Sequence, residues 1–170
     1  MEESVCAYLL TFTTFGTWLH GRETGSVDRY HNQLHSPILP ADPHRRESAR
    51  ARMREGEYIL DEPRRHCVLE AIREQAKHRG WCIWAAHVRT THVHVVISAT
   101  NIRPEKIMMH LKAWSSRRLR EKFDEGAAQT RWTRHGSTRY LWNEEARNSA
   151  IQYVIERQGD LMSVFPDPIE

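Results

Sequence analysis

Apolar positions recur along the chain with two different periods, and these divide it into elements. Val5 to Phe15 is an apolar run rich in β-branched and aromatic residues, which predicts a buried strand. Gly16 and Gly21 break that pattern, and no clean period follows from His20 to about His44. Gly25, Pro37, Pro40 and Pro43 punctuate this stretch, which reads as a long irregular excursion. Arg45 to Arg54 has the composition of a short, very basic helix. Asp61-Glu62-Pro63 is a helix start, with a capping aspartate, an acid in the first turn and proline near the first helical position. Val68, Leu69, Ile72 and Ala76 form its apolar stripe, and Gly80 is its stop. Trp81–Val88 and His92–Ser98 are strand-like, joined either by a turn at Arg89-Thr90-Thr91 or as one bent strand. Pro104 opens a second helix through about Phe123, with Ile107, Leu111, Trp114 and Leu119 facing inward. Trp132 to Trp142 suggests a hairpin around His135-Gly136-Ser137. Asn143 caps a last helix, Glu144 to Gln158, which stops at Gly159. The remaining tail, Asp160 to Glu170, is expected on the surface.

This order of strands and helices predicts an α+β fold, an antiparallel sheet with packed helices, of which the ferredoxin-like arrangement is the nearest common form. At 170 residues the chain is expected to be a single domain over 1–170, with an irregular insertion at about 20–60 and a short tail from about 160. A hydrophobic fraction of 39% suffices for one core, while a charged fraction of 28% and a mean hydropathy of -0.69 describe a polar surface. No apolar run approaches the length of a membrane span, so no membrane partner is expected. Met1-Glu2-Glu3-Ser4 is too acidic for a secretory signal. Cys6, Cys67 and Cys82 are an odd count without CxxC spacing, which suits a reducing cytoplasm better than a disulfide framework. The net charge of +3 hints weakly at nucleic acid. Its distribution says more, since Lys112, Arg117, Arg118, Arg120 and Lys122 crowd one predicted helix.

His92-Val93-His94 carries the first candidate chemistry. Residues i and i+2 of a strand share a face, so two imidazoles project side by side with a valine on the opposite side. Such a pair can chelate a divalent ion, although in a chain with eleven histidines a lone HxH is more often a hydrogen-bonded structural pair. An open site of two imidazoles and an oxygen ligand suits Mg²⁺ or Mn²⁺ acting on phosphate, with zinc a further option.

Four stretches resemble one known family. They are Tyr8-Leu-Leu-Thr-Phe-Thr-Thr-Phe-Gly-Thr-Trp-Leu-His-Gly21, His92-Val-His94 with Val95-Val96-Ile97, the basic helix around Trp114 to Leu119, and Ala150-Ile-Gln-Tyr-Val-Ile-Glu-Arg-Gln-Gly159. Together they resemble the single-tyrosine HUH transposases, and within them the REP-associated tyrosine transposases, over about residues 5 to 160. The resemblance implies an HUH endonuclease domain in which His92 and His94 hold the metal and Tyr153 attacks a scissile phosphate in single-stranded DNA. The product would be a 5′-phosphotyrosine and a free 3′-OH, so that the strand can be rejoined without ATP. Phenols in general ionise near pH 10, so the metal or a nearby base must assist. The family places its third ligand four residues after the tyrosine, where this chain has Arg157, which cannot bind a cation. Glu156 and Gln158 flank that position. Glu156 lies nearer the Tyr153 direction on an ideal helix, whereas Gln158 falls among apolar positions and needs a partner. Gln158 is therefore the favoured third ligand, with Glu156 the alternative.

Lys112, Trp114, Arg117 and Arg120 are candidate DNA contacts, mixing charge with stacking surface as single-strand binders do. Any one of them could equally belong to a solvated helix face. By resemblance the partner is single-stranded or hairpin DNA near the nucleoid, bound by a monomer or a homodimer. Tyr140 is the rival nucleophile, although packing suits its position better. An alternative is a DNA-binding or regulatory protein on the same fold that no longer cuts, prompted by Arg157. A phosphodiesterase with two histidine motifs is disfavoured, because only one HxH occurs.

Overall fold

The computed structural model describes residues 5–17 and 56–167. Along them run β1 (Ala7–Thr13), α1 (Glu62–Arg79), β2 (Cys82–Val88), β3 (His92–Ser98), α2 (Pro104–Phe123), β4 (Ser137–Leu141), α3 (Glu144–Glu156) and β5 (Ser163–Phe165). The five strands form one antiparallel sheet in the order β4-β1-β3-β2-β5. The first four in that order are the ferredoxin-like arrangement, and α3 with β5 extends it. The excursion and the basic segment expected at Arg45 to Arg54 lie outside the described residues.

Local chemistry explains the helix ends. The Asp61 side chain accepts from the Arg64 backbone N–H, and Gly80 closes α1 in the left-handed conformation at φ 70°. Asn143 accepts from the Ala146 N–H at the start of α3. Period-two alternation then gives the sheet two different faces. Val93, Val95 and Ile97 of β3 join Leu10 and Phe12 of β1 against Val68, Ile72, Ile107 and Leu111 of α1 and α2. Each such fully buried aliphatic contributes about 1.5–3 kcal/mol. On the other face Ala7, Leu9, Ala85 and Val96 pack with Ala150 and Val154 of α3 in a smaller cluster. His92 and His94 share this second face with Val96, so β3 carries the main core on one side and the histidines on the other.

Residues 15 and 58–60 are held beside the β2–β3 turn. Tyr58 N–H donates to the Phe15 carbonyl and Leu60 N–H to the Thr90 carbonyl, both at 2.9 Å. The Tyr58 hydroxyl, Arg64 and Arg131 all converge on the Glu125 carboxylate, a largely buried charge network that ties this segment to α1 and α2.

The structure departs from the sequence expectation at three places. Residues 132–142 do not form a hairpin: Trp132 bridges Thr14, and β4 pairs with β1 further along the same edge. Gly136 lies between them, and its role is close approach, since a Cβ there would sit 2.6 Å from the Thr11 carbonyl oxygen. The tail is not confined to the surface, because Ser163–Phe165 adds strand β5 to β2 and buries Ser163 and Val164. The last helix ends at Glu156, two residues before Gln158. At Arg89–Thr91 the hairpin alternative holds, since β2 and β3 pair antiparallel around it.

Candidate functional site

The site forms where α3 crosses the histidine face of the sheet. In the strand register His94 stands between Thr11 of β1 and His87 of β2, and His92 stands opposite Thr13. The rings of His92 and His94 meet edge to face at 5.0 Å. The Tyr153 ring lies 5.7 Å from that of His94, again edge to face. Tyr153 is 41% exposed and His94 only 5%, so the tyrosine forms the solvent side of the cluster and the histidine its floor.

Each histidine of the pair has a hydroxyl on its Nδ1 edge. Thr11 Oγ1 is 2.8 Å from His94 Nδ1, and Thr91 Oγ1 is 3.1 Å from His92 Nδ1. A partner on one ring nitrogen fixes the orientation of a ligand imidazole, and Nε2 is then the nitrogen left to meet an ion. Burial is the main cause that holds both rings neutral. It takes His92 down to about 4, helped by the Arg89 charge, and His94 down to about 3, helped by His92. Neutral imidazoles are the form that binds metal.

The two candidates for a third ligand lie in different surroundings. Against burial, the main influence on His94, the Gln158 side chain acts in the opposite sense. Its Nε2 donates to the Tyr153 carbonyl at 3.2 Å, which leaves the amide oxygen as the acceptor on this side chain. Glu156 is exposed, and its carboxylate makes no hydrogen bond or ion pair among the described residues. The extrapolated helical angle does not apply to Gln158 because α3 has already ended. The chain turns there, with Arg157 N–H also donating to the Tyr153 carbonyl at 3.3 Å and Gly159 at φ 77°. Among the described residues no three His, Cys, Asp or Glu side chains cluster to hold a metal. A set of two imidazoles and one amide oxygen fits an open, oxygen-accepting divalent site.

His87 and Arg89 also border the site, and neither is singled out by the sequence. His87 is fully buried, with Nδ1 3.0 Å from the Val154 carbonyl and Nε2 accepting from Met162 N–H. Both nitrogens are therefore occupied by backbone groups. Arg89 follows β2 and reaches the Asp160 carbonyl. Alternation from His92 would have found His87 and Thr11 only with the strand register known.

The proposed DNA contacts are not brought to this site. They lie on α2, on the opposite face of the sheet. Lys112 points inward: its ammonium donates to the carbonyls of Thr133 and His135, and burial pushes it down to about 8. Trp114 donates to Glu74 and carries Arg117 over its ring, while Arg117 pairs with Glu121. Arg120 is exposed and has no ion pair among the described residues. Tyr140 also lies away from the histidines, edge to face with Tyr8 and stacked on Trp142.

Comparison with known proteins gives one family match. The family model described as "Transposase IS200 like" matches residues 51–156. No curated protein matches the chain. Among solved structures it is similar to a REP-associated tyrosine transposase bound to a REP hairpin, at 10% identity and a TM-score of 0.49. That alignment covers 88% of this chain and 64% of the other, so this chain spans less than two thirds of that protein. It is also similar to a Deinococcus radiodurans R1 protein described as a transposase, at 15% identity and a TM-score of 0.45, with 89% of each chain covered. Among the described residues no helix is long and apolar enough to cross a membrane.

Proposed function

The chain belongs to the IS200-like transposase family, and from that premise we propose that it is a metal-dependent nicking and joining enzyme for single-stranded DNA, with Tyr153 as the nucleophile. The observation that carries the reading is the half-exposed Tyr153 ring standing 5.7 Å from His94, which is itself paired with His92. His92, His94 and the Gln158 amide oxygen would hold the ion. When bound, Mg²⁺ or Mn²⁺ would polarise a phosphate oxygen and offset charge that develops on it.

The chain's own residues supply position. Thr11 and Thr91 orient the imidazoles, and Gln158 ties the end of α3 to the Tyr153 carbonyl. In the proposed reaction the Tyr153 oxygen bonds to phosphorus and the bond from phosphorus to the 3′ oxygen breaks. The phenol gives up a proton, the 3′ oxygen takes one up, and a 5′-phosphotyrosine results. Attack by a 3′-OH reverses the step and rejoins the strand, so the phosphoester energy is retained. We propose hairpin-bearing DNA as the substrate, with Arg120 and Arg117 as contacts remote from the chemistry.

A nicking assay on hairpin DNA with Mg²⁺ or Mn²⁺ tests this. Wild type should cut, while His92→Ala and Tyr153→Phe should not. A folded wild type that binds the DNA without cutting would instead make the chain a non-cleaving binding protein.

A further inference from the structure

Among the described residues Arg89 is the cation that acts on the histidines, and it has no counter-ion there. Its backbone N–H closes the β2–β3 hairpin on the His92 carbonyl at 2.9 Å, and strand alternation puts it on the same face as His87. The guanidinium lies against the segment just after Gln158: Nη1 donates to the Asp160 carbonyl at 2.9 Å, and Nη2 would be 3.6 Å from a Cβ on Gly159. After burial, the Arg89 charge is a further cause that lowers His92, and it also acts on His87 and His94. Among the described residues no carboxylate acts on any of the three.

The charge balance is therefore unusual for a cation site. His92, His94 and Gln158 are all neutral donors, so among the described residues a divalent ion there would meet a nearby guanidinium and no protein anion. Partly buried like charges without a counter-ion repel strongly, and a bound ion is the largest charge in its site. An anion must complete the arrangement, and a guanidinium beside a divalent ion is a setting that takes phosphate oxygens.

We propose that Arg89 makes the hold on a divalent cation conditional on DNA: the guanidinium opposes the bare ion and, together with the ion, binds the phosphodiester that supplies the missing negative charge. This rests on the reading of His92, His94 and Gln158 as the metal site. Ion and strand then bind cooperatively, and by linkage each tightens the other by the same factor. An ion without DNA is held weakly, so the loaded site forms on the substrate.

The test is Mn²⁺ binding to the full chain by electron paramagnetic resonance, with and without a saturating short oligothymidylate or an equal concentration of inorganic phosphate. For wild type the oligonucleotide should tighten Mn²⁺ binding by about tenfold or more, with inorganic phosphate giving a smaller effect. Arg89→Gln should bind the bare ion several-fold more tightly than wild type, with the oligonucleotide effect reduced to about twofold, whereas Arg89→Lys should behave as wild type. An ordinary structural defect would weaken ion binding, which is the opposite sign. An oligonucleotide that leaves wild-type Mn²⁺ affinity unchanged overturns the proposal without any variant. So does an Arg89→Gln protein with unaltered or weaker affinity for the bare ion and full coupling. His94→Gln separates the two levels. Mn²⁺ binding that depends on His94 but not on Arg89 overturns the coupling alone, whereas binding indifferent to His94 removes the metal site and the coupling together.

Discussion

His87 joins the centre of the sheet to the last turn of α3 through the Val154 carbonyl, 3.0 Å from its Nδ1. The partner on the other nitrogen is the Met162 N–H, which can only donate, so Nε2 accepts and Nδ1 carries the proton. The Val154 carbonyl is among the last four of its helix, which have no partner within the helix. One neutral imidazole thus satisfies that group and fixes the residue next to Tyr153.

Replacing His87 should therefore separate position from chemistry. His87→Leu leaves two buried backbone groups without partners and should cost about 2 kcal/mol or more of stability. On the proposed function it should also lower the nicking rate about 10- to 100-fold through misplacement of Tyr153. His87→Asn keeps a donor near the Nδ1 position and should recover much of that rate, whereas His87→Gln, which reaches the Nε2 position, should not. Single-turnover rates alongside thermal melts check this, and equal rates for the Asn and Gln variants would contradict it.

Gln158 and Glu156 make opposite predictions for the ion. Gln158→Ala should weaken Mn²⁺ binding about 10- to 100-fold, as removal of groups that support a metal site does, and Glu156→Ala should leave it unchanged. Titration calorimetry with the two variants decides between them, and the reverse pattern would make Glu156 the ligand.

The parts of the fold legible in the sequence were those set by neighbours along the chain. Asp61 and Gly80 bracket α1 because caps are local, and His92 and His94 share a face because strand alternation is local. What stayed hidden depended on partners distant in sequence. Thr11 and His87 flank His94 only through the register of three strands, and β5 is three residues long with no period of its own. Gly136 has the look of a turn residue, yet it serves the close approach of its strand to Thr11. Gln158 lies two residues beyond the end of its helix, so its hydrogen bond to the Tyr153 carbonyl cannot be read from ideal helical angles. The basic character of α2 was plain, but its placement across the sheet from the histidines was not.

Stability without metal should fall with acid in a window set by the histidines. An imidazole in the unfolded chain titrates near 6.5, whereas burial holds His92 at about 4 and His94 at about 3. Between those values the unfolded chain binds more protons, so stability rises with pH. The contribution is complete above about pH 6.5, is lost as pH falls toward 4 and 3, and changes no further below. Each group contributes a slope of up to about 1.4 kcal/mol per pH unit inside its window. Denaturant melts in EDTA between pH 7 and 5 should show this slope, and it should flatten in a His92→Gln, His94→Gln double variant. An equal slope in both proteins would contradict the assignment.

Lys112 and Arg120 should differ in kind. Lys112 holds the carbonyls of Thr133 and His135, so Lys112→Met should lower stability by about 1–3 kcal/mol and leave the salt dependence of DNA binding alone. Arg120→Gln should leave stability within about 0.5 kcal/mol and reduce the salt slope by about one if it meets a phosphate. Binding isotherms at several salt concentrations, beside melts, check both.

The most direct measurement is the covalent adduct itself. A labelled single-stranded hairpin oligonucleotide is incubated with the protein and Mn²⁺, and the cross-linked peptide is identified by mass spectrometry. A 5′-phosphotyrosine is expected on the peptide carrying Tyr153, absent with EDTA and absent from Tyr153→Phe and His94→Ala. Strand cleavage that persists in Tyr153→Phe, or an adduct that maps to Tyr140, would contradict it.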